Sequence, residues 1–167
     1  MNSSTSKIIF IMGVSGSGKS TIGRALAEAM DVPFIDGDDH HPEANVKKMS
    51  LGQALDDSDR AAWLKTLNRI ALQHRGEGAV IACSALKESY RQILTANLEE
   101  ECQWVILKGT YELILERMKK RAGHFMPSAL LQSQFDTLEI PEYGIHLDIS
   151  KTLPSLITLL VKELNIQ

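Results

Sequence analysis

Short runs of consecutive apolar residues alternate along this chain with stripes of apolar residues spaced three and four apart. The first run, Lys7-Ile8-Ile9-Phe10-Ile11-Met12, is β-branched and aromatic and reads as a buried parallel strand. Thr21 to Met30 then reads as a helix with Ile22, Ala25, Leu26 and Ala29 on one face. Val32 to Asp36 predicts a second strand, followed by a polar loop from Asp36 to Pro42. Pro42 suits the first turn of a helix that Gly52 ends, and Ser58-Asp59 suits the cap of another, which carries Trp63, Leu64, Leu67, Ile70 and Ala71. Further strands are expected over Ala79–Cys83, Gln103–Leu107 and Ile145–Ile149. Further helices are expected over Lys87–Leu98, Tyr111–Arg121 with Thr110 as cap, Ser128–Leu138 and Pro154–Leu164, with an interruption at Gly123 to Pro127. Strand and helix alternate throughout, so the fold class is α/β: a parallel sheet of five strands with helices on both faces. In such a sheet the segments that follow the strands share one crevice at the strands' carboxyl ends.

Composition sets limits on function. At 167 residues the chain fits one domain with a proper core, and its 44% hydrophobic and 23% charged content is ordinary for a soluble protein. A net charge of −3 gives no reason to expect wholesale binding of nucleic acid or of an anionic membrane, and no apolar stretch is long enough to span a bilayer. Cys83 and Cys102 have neither metal-ligand spacing nor a disulfide framework, and they read as small hydrophobes in a reducing cytosol. The histidines show no zinc-binding arrangement.

Chemistry enters directly after the first strand, at Gly13-Val14-Ser15-Gly16-Ser17-Gly18-Lys19-Ser20. A glycine, four residues, then Gly-Lys-Ser is the phosphate-binding P-loop pattern. Backbone N–H groups of Ser15, Gly16, Ser17 and Gly18 can approach a triphosphate, Lys19 supplies positive charge to its β/γ end, and Ser20 offers a hydroxyl to Mg²⁺. Thr21 continues into a helix whose positive end faces the same anion. ATP with Mg²⁺ is therefore the expected donor. Phosphoryl transfer also needs a carboxylate near the acceptor and cations over the transferred group. Asp36 and Asp38 lie two apart at the end of the second strand: one can support Mg²⁺ and the other orient or deprotonate a hydroxyl, or the pair is a turn-forming acidic loop. Arg117 and Arg121 share a helix face, either as a clamp at a lid hinge or as a basic solvated face. Arg60, Lys87 and Arg91 are cations near crevice loops that can hold a substrate anion or remain surface charges. His41 is a candidate contact to substrate hydroxyls or a capping residue, and Trp63 reads as core. The third strand ends in Cys83-Ser84 rather than an acid, which disfavours an ordinary Walker-B ATPase, and the guanine-specifying and protein-kinase motifs are absent.

Beyond the P-loop, the chain resembles the bacterial gluconokinases. The similarity runs through Asp36-Gly37-Asp38 with His41-Pro42, then Asn45, Lys48-Met49, Gly52, Leu55, Asp57, Asp59-Arg60 and Trp63-Leu64. It continues in Cys83-Ser84-Ala85-Leu86-Lys87 with Tyr90-Arg91, in Leu107-Lys108-Gly109, in Arg121 with Gly123-His124-Phe125-Met126, and in Ser133-Gln134-Phe135 with Leu138-Glu139. It covers roughly residues 8 to 150. The resemblance implies ATP-dependent phosphorylation of D-gluconate at its C6 hydroxyl and a nucleoside-monophosphate-kinase-like, three-layer fold. It also implies a substrate-binding helical region near residues 40–75, a lid near 121–132, a homodimer and a cytoplasmic enzyme. On this reading Asp38 meets the C6 hydroxyl, Asp36 and Ser20 support Mg²⁺, Lys19, Arg117 and Arg121 meet the phosphates, and His41, Arg60 and Lys87 are sugar-acid contacts. Two rival readings are a kinase of another small acid or nucleotide, such as shikimate, and a non-catalytic ATP-binding sensor.

Overall fold

The computed structural model describes residues 7–121 and 128–167. Five parallel strands form one sheet in the order β2-β3-β1-β4-β5: β1 is Ile8–Met12, β2 Phe34–Asp36, β3 Ala79–Ala82, β4 Cys102–Lys108 and β5 Ile145–Asp148. The central strand β1 pairs with β3 through Ile8 opposite Ala79 and with β4 through Ile8 opposite Cys102. Every residue of β1 and β3 is buried, as continuous apolar runs require when helices cover both faces. The chain moves from β1 to one side of the sheet, returns beside β1 as β3, and crosses to β4 on the other side. The strand order therefore reverses at β1, and the crevice forms at its carboxyl end.

The helices are α1 (Lys19–Met30), α2 (Glu43–Ser50), α3 (Asp57–Gln73), α4 (Glu88–Leu94), α5 (Tyr111–Lys120), α6 (Ser128–Thr137) and α7 (Leu153–Glu163). No helix among the described residues is long and apolar enough to cross a membrane. The Gly123–Pro127 interruption, with the His124-Phe125-Met126 match, lies outside the described residues.

Four local expectations are corrected. The buried stripe of α1 is Ile22, Gly23, Leu26 and Ala27 rather than one through Ala25 and Ala29. The cause is Gly23, where a Cβ would stand 2.4 Å from the Phe34 ring, so helix and β2 approach through a residue without a side chain. The cap of α3 is Asp56, not Ser58-Asp59. Its carboxylate accepts from Asp59 N at 2.8 Å while Asp59 accepts from Asp56 N at 2.9 Å, a reciprocal capping box. α4 stops at Leu94, well short of Leu98. The expected loop after β2 is wound into a 3₁₀ turn, Gly37–His40, capped by the Asp36 side chain.

Candidate active site

The loop between β1 and α1 is shaped to receive an anion. Gly18 caps α1 at φ 99 with no side-chain hydrogen bond, and no acidic residue stands in the first turn. The first amides of α1 are therefore left for an external acceptor, with the positive end of the helix dipole behind them. Gly16 sits at φ 79, and a Cβ there would also stand 2.7 Å from Met118 Cγ. Ser17 is buried, and its Oγ has no partner among the described residues. Lys19 folds back over the loop, donating from Nζ to Gly13 O at 3.0 Å and Val14 O at 3.1 Å. Burial lowers the Lys19 pKa, while the charges of Asp38 and Asp36 oppose that shift and Arg121 adds to it. Those charges place both loop carboxylates and Arg121 within electrostatic reach of the lysine.

Ser20 Oγ donates to Asp36 Oδ2 at 2.8 Å, while Asp36 Oδ1 accepts from Asp38 N at 3.0 Å. One carboxylate thus joins the end of the phosphate loop to the turn that carries Asp38. The paired hydroxyl and carboxylate oxygens are the hard donors Mg²⁺ takes, in the sparse protein set it uses when phosphates and water complete its shell. No cluster of three His, Cys, Asp or Glu metal ligands occurs among the described residues. Gly37, between the two acids, packs so closely on β3 that a Cβ would meet Ala82 O at 2.4 Å.

His41 follows the turn and stacks on Trp63, with ring centroids 3.9 Å apart and planes inclined by 18°. Asn45, itself buried, donates from Nδ2 to Asp59 O at 2.8 Å and lies 3.3 Å from His41 Nδ1. With Nδ1 as acceptor, the imidazole hydrogen is on Nε2, which is 3.9 Å from Asp38 Oδ1. Trp63 Nε1 donates to Gly37 O at 2.7 Å. Trp63 is core, as its spacing suggests, but it also fixes the acidic turn. Burial pushes the His41 pKa below its usual value, with Asp38 opposing and Arg60 assisting. The unfolded chain therefore binds a proton in a pH range where the native ring does not. The contribution of this ring to stability is present above pH about 6.5 and is lost as pH falls through the lower native pKa. An NMR titration should give a His41 midpoint below the ordinary imidazole value of about 6.5. A His41 midpoint at or above 6.5 would contradict the stacked, neutral ring.

The remaining candidate cations separate. Arg60 Nη1 donates to the Tyr90 hydroxyl at 2.9 Å, and the guanidinium lies over the Tyr90 ring. The Tyr90 hydroxyl is hydrogen-bonded to Asp57 Oδ1, and Lys87 Nζ pairs with the same oxygen at 3.0 Å. Arg60, Lys87, Tyr90 and Asp57 line a cavity of about 420 Å³. Arg91, expected either at the crevice or on the surface, is instead 2% exposed and bonds inward. Arg117 donates to Ile149 O at 2.6 Å. With Arg121, Gly16, Gly18 and Leu153 it lines a cavity of about 330 Å³ beside the phosphate loop. Asp148 lines a separate cavity of about 880 Å³ with Lys108, Gly109 and Thr110, and it accepts from Ser150 N and Oγ.

Sequence reasoning missed the roles of two residues. Tyr90 links Arg60 to Asp57, and Gln134 on α6 reaches the phosphate loop, donating to Ser15 Oγ and accepting from Ser15 N. Both stand in the motifs quoted for the resemblance, but no spacing rule gives either a partner.

Comparison with known proteins yields consistent matches. A family model described as shikimate kinase matches residues 15–139. The thermosensitive gluconokinase of Escherichia coli (strain K12) is 50% identical over 134 residues, covering 79% of this chain and 71% of that one. The gluconokinase of Arabidopsis thaliana is 45% identical over 156 residues, covering 84% and 82%. A crystal structure of a gluconokinase from Sinorhizobium meliloti 1021 superimposes with a TM-score of 0.89 at 41% identity, covering 96% of this chain and 93% of the other. A shikimate kinase from Bacteroides thetaiotaomicron shares the fold, with a TM-score of 0.69 at 14% identity.

Proposed function

The chain belongs to the gluconokinase family of P-loop kinases, and from that premise we propose that it transfers the terminal phosphoryl group of ATP to the C6 hydroxyl of D-gluconate, yielding 6-phosphogluconate and ADP. The observation that carries this reading is the hydrogen-bonded line Ser20–Asp36–Asp38. It ties the phosphate loop to the acidic turn through one carboxylate, so that a donor on the loop and an acceptor at the turn share one anchor.

Lys19, released from Gly13 O and Val14 O, is positioned to neutralise charge on the β/γ-phosphates. Ser20 and Asp36 would hold Mg²⁺, which when bound offsets phosphate charge and orients the terminal phosphoryl group. Asp38 caps nothing and is exposed, so its carboxylate is available to accept a hydrogen bond from the acceptor hydroxyl. His41 presents a neutral Nε2–H on the same side as Asp38, as a donor to a sugar oxygen. We assign the gluconate carboxylate to Arg60 rather than Lys87. Lys87 is already paired with Asp57, whereas Arg60 spends only one donor, on Tyr90, among the described contacts. The cavity beside the loop suits the base and ribose, with Arg117 held flat by Ile149 O and Leu153 and Leu156 supplying apolar wall. Arg121, exposed at the same rim, is the second cation assigned to the phosphates. A homodimer and a reducing, cytosolic setting complete the reading. The latter is supported by two free cysteines, one of them, Cys83, buried with its pKa raised to about 12 and so inert as a thiolate.

ADP release measured side by side with gluconate, shikimate and AMP tests the assignment. Turnover is expected with gluconate, and turnover with shikimate or AMP alone would move the chain to another branch of the fold. Asp38→Asn is expected to lower kcat by roughly a hundredfold while ATP binding, read by calorimetry, persists. A variant that turns over like the wild type would remove Asp38 from the mechanism, and a non-catalytic ATP sensor would show no acceptor-dependent turnover in either form.

A further inference from the structure

Gln134 makes two hydrogen bonds to one loop residue 119 positions away: Ser15 N donates to Gln134 Oε1 at 2.7 Å, and Gln134 Nε2 donates to Ser15 Oγ at 3.0 Å. In a loop whose function is to offer donors to phosphate, one backbone N–H is thus already engaged. The Val14–Ser15 peptide is held at both ends, since its carbonyl accepts from Lys19 Nζ at 3.1 Å while its N–H meets Gln134. Once Lys19 turns to a bound triphosphate, Ser17 N still donates to the Val14 carbonyl at 3.2 Å, and Gln134 is the side chain that fixes the N–H end of the same peptide plane. The serine hydroxyl accepts from Gln134, so its single hydrogen is left to donate.

Gln134 is itself well fixed. Leu130 and Leu131 bury one side of α6, Phe135 packs edge-on against Tyr111 at 5.6 Å, and Glu139 N donates to Leu86 O at 2.7 Å just past the helix end. A carboxamide presented by a packed helix can hold a peptide plane with little entropic cost at the moment of reaction.

We propose that Gln134 is a positioning residue for phosphoryl transfer: its carboxamide locks the Val14–Ser15 peptide so that the Ser15 hydroxyl hydrogen, not the Ser15 N–H, is offered to the terminal phosphate. The inference rests on the kinase reading above. Gln134→Met keeps the length of the side chain and removes both bonds. With gluconate and ATP it is expected to lower kcat about tenfold, with KM for each substrate within about threefold and an unchanged thermal midpoint. Ser15→Ala should lower kcat by a similar factor, and the double variant should be no worse than about twofold below either single one, because both changes remove the same donor. Rate losses that multiply, a loss confined to KM, or a kcat within twofold of wild type would each overturn the proposal. A second readout does not depend on the acceptor. In the ATP-analogue complex, exchange of the Ser15 amide hydrogen should be about tenfold faster in Gln134→Met than in wild type. Equal exchange rates overturn the inference whatever the acceptor is. Absence of turnover in wild type with gluconate counts against the function reading alone.

Discussion

Replacing Lys19 with methionine is expected to lower kcat by about a thousandfold with the fold intact, the scale at which loss of one preorganised charge contact acts in a water-poor site. Lys19 is the first residue of α1, and its ammonium lies inside the turn of the loop on two carbonyls, Gly13 O and Val14 O. Lys19 is partly buried, and burial lowers its pKa, with the Asp38 and Asp36 carboxylates opposing that shift. Part of the cost of desolvating this charge is therefore met before nucleotide arrives, which strengthens its interaction with phosphate. Methionine matches the stem without the charge and lies outside the apolar core, so the thermal midpoint should move little. ADP release at saturating ATP and gluconate is the measurement. A kcat within tenfold of wild type would mean that the loop binds nucleotide without acting on the transferred group.

The largest effect on stability is expected from Arg91→Ala, about 4 kcal/mol in urea unfolding, with a thermal midpoint lower by about 10 °C. Arg91 is one of the largest fully buried side chains, and its guanidinium bonds to the loop after β3, to α4 and to the connection between α6 and β5. Nη1 donates to Ala85 O at 2.7 Å, Nη2 to Glu139 O at 2.9 Å, and Nε to the Tyr143 hydroxyl at 2.9 Å, with Glu88 as counter-ion at 3.0 Å. Alanine leaves two buried-side carbonyls without a donor and opens a cavity the size of the guanidinium and its stem. Ala85 sits at φ 46, a backbone conformation that costs free energy unless its surroundings hold it, and Arg91 is what holds its carbonyl. Arg91→Lys should recover less than half of the loss, because a single ammonium cannot span carbonyls on two segments. A loss below about 1 kcal/mol would show that water replaces the guanidinium at no penalty.

The parts of the fold that could be read in the sequence are those where one local rule acts alone. β1 and β3 are uninterrupted apolar runs because both faces of a parallel sheet are covered, and their burial is complete. The phosphate loop is legible because glycine, lysine and serine each have a fixed mechanical task there. Reading fails where a tertiary contact overrides the period: Gly23 rotates the buried stripe of α1 toward Phe34, and Asp56 takes the cap that Ser58-Asp59 also suits. In the site, the two-residue spacing of Asp36 and Asp38 suggests a shared face, but the chain winds into a 3₁₀ turn and Asp36 becomes the link to Ser20. Arg91 is indistinguishable from a surface arginine in sequence, since two of its partners are backbone carbonyls, which every residue has, and Tyr143 lies 52 positions away. The same holds for Gln134, whose partner is a backbone amide and a serine on the far side of the chain.

The stack of His41 on Trp63 has a practical consequence. The chain has two tryptophans, Trp63 against the acidic turn and Trp104 stacked on Phe10 at 4.8 Å. Trp104→Phe would leave a single indole fluorophore, bonded to Gly37 O and in face contact with the imidazole beside Asp38. Its emission would report arrival of the sugar acid, protonation of His41, and any motion of the turn, without an attached dye. The molecule carries its own optical probe at the proposed acceptor end, where rapid-mixing experiments can separate substrate binding from the chemical step.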